Sequence, residues 1–335
     1  MPRILTTVVG SYPVPDWLVA APSEQALIDA TRVVIGIQEQ AGIDLVCDGE
    51  LYRFDVNHPE TNGMIEYFIR PLDGIRTRIR FDELVAFTRN AGMRFRTRPP
   101  GVVDGPITSG ALDLPTACAR AKSLATRPLK FTLTGPHMLA KTLIDHHYGD
   151  TPSLAHALAD VLAEQVAACD ADVIQVDEAN LPGHPDEWEW ALSSINTVLD
   201  AVKTRAAVHL CFGNYGGQSI QKGSWDKLMR YLNGLHADHV VMEVAHRPAE
   251  ELAAFRDLDA RIGMGLGVVD IKRTDVETPE SIARAIGRAE QVLGAGRVRW
   301  IHPDCGFWML KRNIADGKIR ALAAGRDLYE TAGGR

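Results

Sequence analysis

A histidine and a cysteine stand two residues apart in Val208-His209-Leu210-Cys211-Phe212, at the end of a short apolar run. In extended chain that spacing sends both side chains to the same side. A carboxylate closes a second run, Val241-Met242-Glu243-Val244, and another cysteine follows a third, His302-Pro303-Asp304-Cys305-Gly306. His209, Cys211, Glu243 and Cys305 together make a nitrogen, sulfur, oxygen and sulfur set suited to zinc. The chemistry such a set offers is thiol activation. A free thiol titrates near about 8.5, so little of it is thiolate at neutral pH; coordination to zinc deprotonates it and leaves a soft sulfur able to attack carbon.

Residues so far apart in the chain meet only if regular elements bring their ends to one place. Eight β-rich runs, at 5–9, 45–47, 130–133, 173–176, 207–210, 240–242, 263–266 and 299–302, alternate with amphipathic stretches. The latter, among them 24–40, 153–168, 187–203, 225–233 and 279–293, repeat apolar residues at the three-and-four spacing of a core-facing helix. Strand-then-helix units imply right-handed parallel crossovers, and eight of them close an α/β (β/α)8 TIM barrel. In that fold chemistry belongs at the C-terminal strand ends, where all four candidate ligands fall. The regular beat breaks once. An excursion at about 51–126, carrying Pro71, Pro99, Pro100 and Pro106, reads as an insertion after the second strand. Within it 76–81 alternates polar and apolar residues, which predicts a half-exposed strand in a small antiparallel hairpin over the barrel mouth. Residues 1–335 are otherwise read as a single barrel domain, and Phe212-Gly213-Asn214-Tyr215-Gly216-Gly217 as a mobile lid beside Cys211.

Composition narrows the function. The formal charge of −7 argues against a nucleic-acid binder, which needs a basic face. No apolar run approaches the roughly 20 residues of a membrane span, and Met1 to Thr7 lacks the features of a signal peptide, so the cytoplasm is expected. Five widely spaced cysteines make a poor disulfide framework. Cys47, Cys118 and Cys169 are read as core residues, Cys211 and Cys305 as ligands.

The chain resembles the catalytic barrel of cobalamin-independent methionine synthase. The likeness is carried by His-Leu-Cys at 209–211, Met-Glu-Val at 242–244 and Pro-Asp-Cys-Gly at 303–306. It continues in Thr6-Thr7-Val8-Val9-Gly10-Ser11-Tyr12-Pro13, Asp48-Gly49-Glu50, Leu133-Thr134-Gly135-Pro136 and Gln175-Val176-Asp177-Glu178-Ala179, in the family's order over nearly the whole chain. The resemblance implies that zinc is held by His209, Cys211, Glu243 and Cys305, with Glu243 able to yield its place to substrate sulfur. It also implies that Gly10 and Ser11 hold the carboxylate of an amino-acid thiol such as homocysteine, while Glu50 and Asp177 face its ammonium group.

The sequence departs from that pattern where the family handles folate. The chain is about one barrel long, while full-length members carry a second barrel that helps hold the polyglutamate tail. No aromatic ring follows Gly135-Pro136, where the family stacks a Trp on folate: the stretch reads His137-Met138-Leu139-Ala140-Lys141-Thr142. Lys272 stands in Val269-Asp270-Ile271-Lys272-Arg273, where the family has a proton-donating His. Methyl transfer to a thiol from a donor other than folate polyglutamate, such as a corrinoid or a methyl-donor protein, is therefore expected. Glu243, Asp177 and Lys272 are the candidate catalytic residues. Epoxide opening by coenzyme M, or carbon–sulfur bond cleavage, would use the same zinc. A metal-free barrel like uroporphyrinogen decarboxylase, or a thiol- or corrinoid-binding module without catalysis, stays open as well.

Overall fold

The computed structural model describes residues 3–89, 96–214 and 218–333. Its strands are β1 (Leu5–Thr6), β2 (Asp73–Arg76), β3 (Val102–Thr108), β4 (Lys130–Thr134), β5 (Ile144–Asp145), β6 (Val173–Glu178), β7 (Arg205–Leu210), β8 (His239–Met242), β9 (Gly263–Val269) and β10 (Val298–Pro303). Seven form one parallel sheet in the order β1-β10-β9-β8-β7-β6-β4. Parallel bridges from Thr7 to Leu45 and from Val46 to Leu129 close it into a barrel. The eighth stave, expected at 45–47, is thus present but short. Leu45 N–H donates to Thr6 O (3.1 Å) and Lys130 N–H to Val46 O (2.8 Å). At Cys47 a side chain replaces the neighbouring strand: buried Gln38 accepts from Cys47 N–H (2.8 Å) and donates to its carbonyl (2.7 Å).

The helices follow from their caps and apolar stripes. Ser23 accepts from Ala26 N–H to start Glu24–Ala41, which buries Ala30, Val34 and Ile35, and Gly42 at φ 91° stops it. Asp150 and Thr278 cap Thr151–Ala167 and Pro279–Leu293 in the same way. The stretches expected at 187–203 and 225–233 are the helix Trp188–Asp200 and a 3-10 turn, Trp225–Leu228, running into the helix Met229–Gly234. A long final helix, Arg312–Thr331, packs on Glu24–Ala41 and Pro279–Leu293. No described helix is long and apolar enough to cross a membrane.

The insertion after the second stave differs in detail from the sequence expectation. Its strand is Asp73–Arg76, and Phe81 begins a helix, Phe81–Thr88, in place of ending a strand at 81. Arg76 pairs with Val102 as the last ladder residue, and Glu83 then accepts from Arg80 N–H (2.8 Å), which turns the chain into the helix. The hairpin is replaced by a three-stranded sheet, β2-β3-β5, in which β2 and β3 are antiparallel and β5, from beyond β4, adds in parallel.

Candidate active site

The ends of β7 and β10 bring three ligand types together. His209 lies on β7, Cys211 directly after it and Cys305 two residues past β10. Their ligand atoms lie within 4.8 Å of one another, and the two sulfurs are 3.8 Å apart. His209 and Cys211 are buried and Cys305 is half-buried. The His209 ring is oriented by Nδ1, 2.8 Å from Val241 O. A carbonyl only accepts, so Nδ1 carries a hydrogen and Nε2 is the nitrogen left for a metal to take. That Nε2 is buried without a hydrogen-bond partner, the state of a metal-binding imidazole whose other nitrogen is anchored. The hydrogen bond shared with Cys211, aided by His209 and Lys272, holds Cys305 well below the ordinary thiol range, and the same bond plus burial pushes Cys211 up.

Glu243 follows β8 but stands outside this group of three. Its Oε1 receives Lys272 Nζ (2.9 Å) and its Oε2 receives Phe212 N–H (2.8 Å). Trp225 Nε1 donates to the Glu243 carbonyl (3.1 Å). The neighbouring cation and imidazole serve elsewhere, Arg247 with Glu251 and His246 with Asp270.

The pocket beside the cysteines is mostly apolar, with Val9, Met64, Met138, Ile220 and Trp308 on its walls. Among the described residues its lining holds no Lys or Arg, and its two acids are Glu50 and Asp177. They are not equivalent. Asp177 stands one residue before the end of β6, in register with His209, and accepts from Gln175 Nε2 (2.7 Å). Burial pushes its carboxyl up to about 7, against the pull of His209. Glu50 sits at φ 59°, a left-handed conformation costly for a side-chain-bearing residue. Its carboxylate meets Arg53 Nη1 (3.1 Å) and Thr132 Oγ1 (2.6 Å). Gly10 is needed for this approach, because a Cβ there would lie 2.0 Å from Glu50 Oε1. Ser11 lines the pocket next to Gly306, where a Cβ would lie 2.0 Å from its Oγ.

Sequence reasoning missed Arg53 and Trp225 as supports of the site; an arginine three residues after Glu50 was the available signal for the first. The Pro136–Thr142 helix presents Met138 to the pocket, while His137 is buried and stacked on Trp190, with ring centroids 4.7 Å apart. Cys47, Cys118 and Cys169 are buried and line no part of the pocket. Gly213 and Asn214 of the expected lid do line it, and Tyr215, Gly216 and Gly217 lie outside the described residues.

Residues 4–325 match the family model of the cobalamin-independent synthase catalytic domain. The chain belongs to this family. It is accordingly an enzyme, a methyltransferase. Among its relatives, a methionine synthase from Thermococcus kodakarensis is 29% identical over 98% of this chain and 94% of its own. One from Sulfurisphaera tokodaii is 28% identical, with 97% and 92% covered. A B12-independent methionine synthase from Shewanella sp. W3-18-1, solved with selenomethionine, shares the fold with a TM-score of 0.79 at 24% identity over 98% of both chains. For this cobalamin-independent synthase domain the three candidate ligands therefore stand where the barrel concentrates chemistry, at the C-terminal strand ends.

Proposed function

We propose that the protein holds zinc on His209, Cys211 and Cys305 and methylates the sulfur of homocysteine, giving methionine. The observation that carries this reading is the unpartnered Nε2 of buried His209 in one cluster with two cysteine sulfurs. When bound there, zinc supplies a deprotonated yet nucleophilic substrate sulfur. The chain's own residues do the rest. Asp177, with one oxygen already bonded to Gln175, faces the substrate ammonium as a carboxylate. Ser11 and the backbone at Gly10 take the substrate carboxylate, and Glu50, already shared with Arg53, shapes that end of the pocket. The apolar walls exclude water around the sulfur, and Lys272 balances the charge of Glu243. In the transfer the sulfur–methyl bond forms as the bond from methyl to donor breaks, and the bonding pair leaves with the donor.

The whole chain is read as one working unit, in which the insertion at about 51–126 covers the mouth. Its first residues support this, since Arg53 donates to Thr132 on β4 and Met64 reaches the pocket. The donor is read as something other than a folate polyglutamate, because Met138 takes the place of a stacking ring; a corrinoid or a methyl-donor protein fits. Coenzyme M and tetrapyrrole carboxylates are disfavoured by the lack of Lys and Arg in the described lining. With all five cysteines free, a reducing cytoplasm is the fitting location. The test is an assay of zinc-loaded protein with homocysteine or coenzyme M as acceptor, and methylcobalamin or methyltetrahydrofolate triglutamate as donor. Methionine formed from methylcobalamin is expected; methylation of coenzyme M alone, or no transfer, contradicts the reading.

A further inference from the structure

Residues 70–98, within the insertion, carry eight arginines, no lysine and three acids, in a chain whose formal charge is −7. A basic segment in an acidic chain draws anions toward the face on which it lies. It contributes one side of a cleft of about 580 Å³, a volume within the roughly 300–1,000 Å³ of small-molecule sites. Arg70, Arg96 and Arg98 line this cleft, against two acids, Glu60 and Glu66. Asn62 lies on both the cleft and the thiol pocket, so the two are neighbours.

The acids are spent or outlying, while guanidinium donors are left over. Arg96, with its side chain 9% exposed, places Nη2 on Glu66 and Nε on Arg98 O (3.3 Å), and its Nη1 has no hydrogen-bond partner among the described residues. Glu66 also accepts from Asn62 N–H (2.9 Å), which ties Arg96 to the wall shared with the thiol pocket. Arg98 is exposed and forms no ion pair among the described residues. Arg70 meets Asp55 only at 3.6 Å, and Glu60 sits with His58 (3.2 Å) on the exposed surface. A guanidinium presents paired donors that match a phosphate or a carboxylate.

We propose that this cleft binds an anionic group, phosphate or carboxylate, carried by the methyl donor, and so grips the donor beside the thiol pocket. The inference rests on the methyl-transfer reading above and adds where the donor is held. The thiol pocket offers the donor apolar walls and no Lys or Arg among the described residues. Charge recognition of the donor therefore falls to the cleft across Asn62.

The test uses zinc-loaded wild type, Arg98→Gln, Arg96→Gln and, as a control on the helix Pro279–Leu293 outside the insertion, Arg284→Gln. Calorimetry with inorganic pyrophosphate and with triglutamate reads the site without any transfer. Wild type and Arg284→Gln should bind at least one of these anions alike, and Arg98→Gln about tenfold more weakly, as expected for losing a hydrogen bond to a charged group. Arg98→Gln breaks no ion pair among the described residues, so it keeps the test open if Arg96→Gln fails to fold. Steady-state transfer to homocysteine separates the two sources of charge. A KM for methylcobalamin raised about tenfold in Arg98→Gln, with no such rise for methylcobinamide, which lacks the phosphodiester, assigns a phosphate. The same rise for methyltetrahydrofolate triglutamate assigns a carboxylate. No anion binding in wild type, equal binding in Arg98→Gln, or binding without any donor KM that moves (an adventitious ion only) overturns the inference. Anion binding that depends on Arg98, with no transfer from any donor, contradicts the methyl-transfer reading instead.

Discussion

On one wall of the pocket His209, Cys211 and Cys305 hang from the ends of regular strands, and His209 keeps an unused nitrogen. On the facing wall Glu50 stands on a strained turn and is already shared between Arg53 and Thr132. The first wall has its bonding capacity held in reserve, and the second has most of its capacity spent. Asp177 belongs with the first: it lies beside His209 near the end of its strand, and burial pushes its carboxyl up to about 7. The difference separates residues placed to bind from residues placed to shape.

The contrast can be broken at several points. The largest effect is expected on the open wall, where His209→Ala or Cys305→Ser should lower zinc affinity by more than about a hundredfold, measured by chelator competition. On the spent wall the loss should appear as stability. Arg53→Met leaves the Glu50 carboxylate buried without its cation and should cost about 3 kcal/mol in denaturant unfolding. An unfolding midpoint equal to wild type would show that the pair contributes nothing.

Asp177→Asn should weaken homocysteine binding by roughly tenfold or more, about 1.5–3 kcal/mol for a hydrogen bond to a charged group. Its pH dependence sharpens the point. Asp177 has a raised pKa, near 7, so its carboxylate grows in as pH rises from 6 to 8. Ammonium binding needs the carboxylate, so homocysteine affinity should climb over that window, and the climb should be shallower in Asp177→Asn. The smallest effect belongs to Glu50→Gln, expected to change homocysteine affinity by no more than about threefold because Arg53 already neutralises this acid. A Glu50 effect equal to that of Asp177 would erase the distinction between the walls.

The same division explains what the sequence made legible. Strands that end in chemistry, such as 207–210 and 240–242, are read correctly because apolar runs and abrupt polar ends coincide in one residue stretch. Side chains that stand in for backbone partners are not visible that way. Gln38 replaces a strand neighbour at Cys47 and cuts the second stave short. The alternation at 76–81 looks like a strand, yet two of its three arginines are answered by carboxylates: Arg76 pairs with Glu83 and Asp104, and Arg80 with Glu83. The helix Arg312–Thr331 hides its core face behind two cations. Lys318 and Arg326 are buried there and satisfied by Glu277 and Asp44, residues far away in the chain. Lys272 was placed at the site as a replacement proton donor, but its pairing with Glu243 spans separate strand ends and has no signature in local spacing.

Zinc K-edge X-ray absorption on the purified protein, with and without L-homocysteine, tests the thiol-activating metal centre most directly. Two sulfur ligands and one imidazole are expected in the free enzyme, from Cys211, Cys305 and His209, rising to three sulfurs when homocysteine is added. A zinc shell that ignores homocysteine, or a protein that retains no zinc, would contradict it.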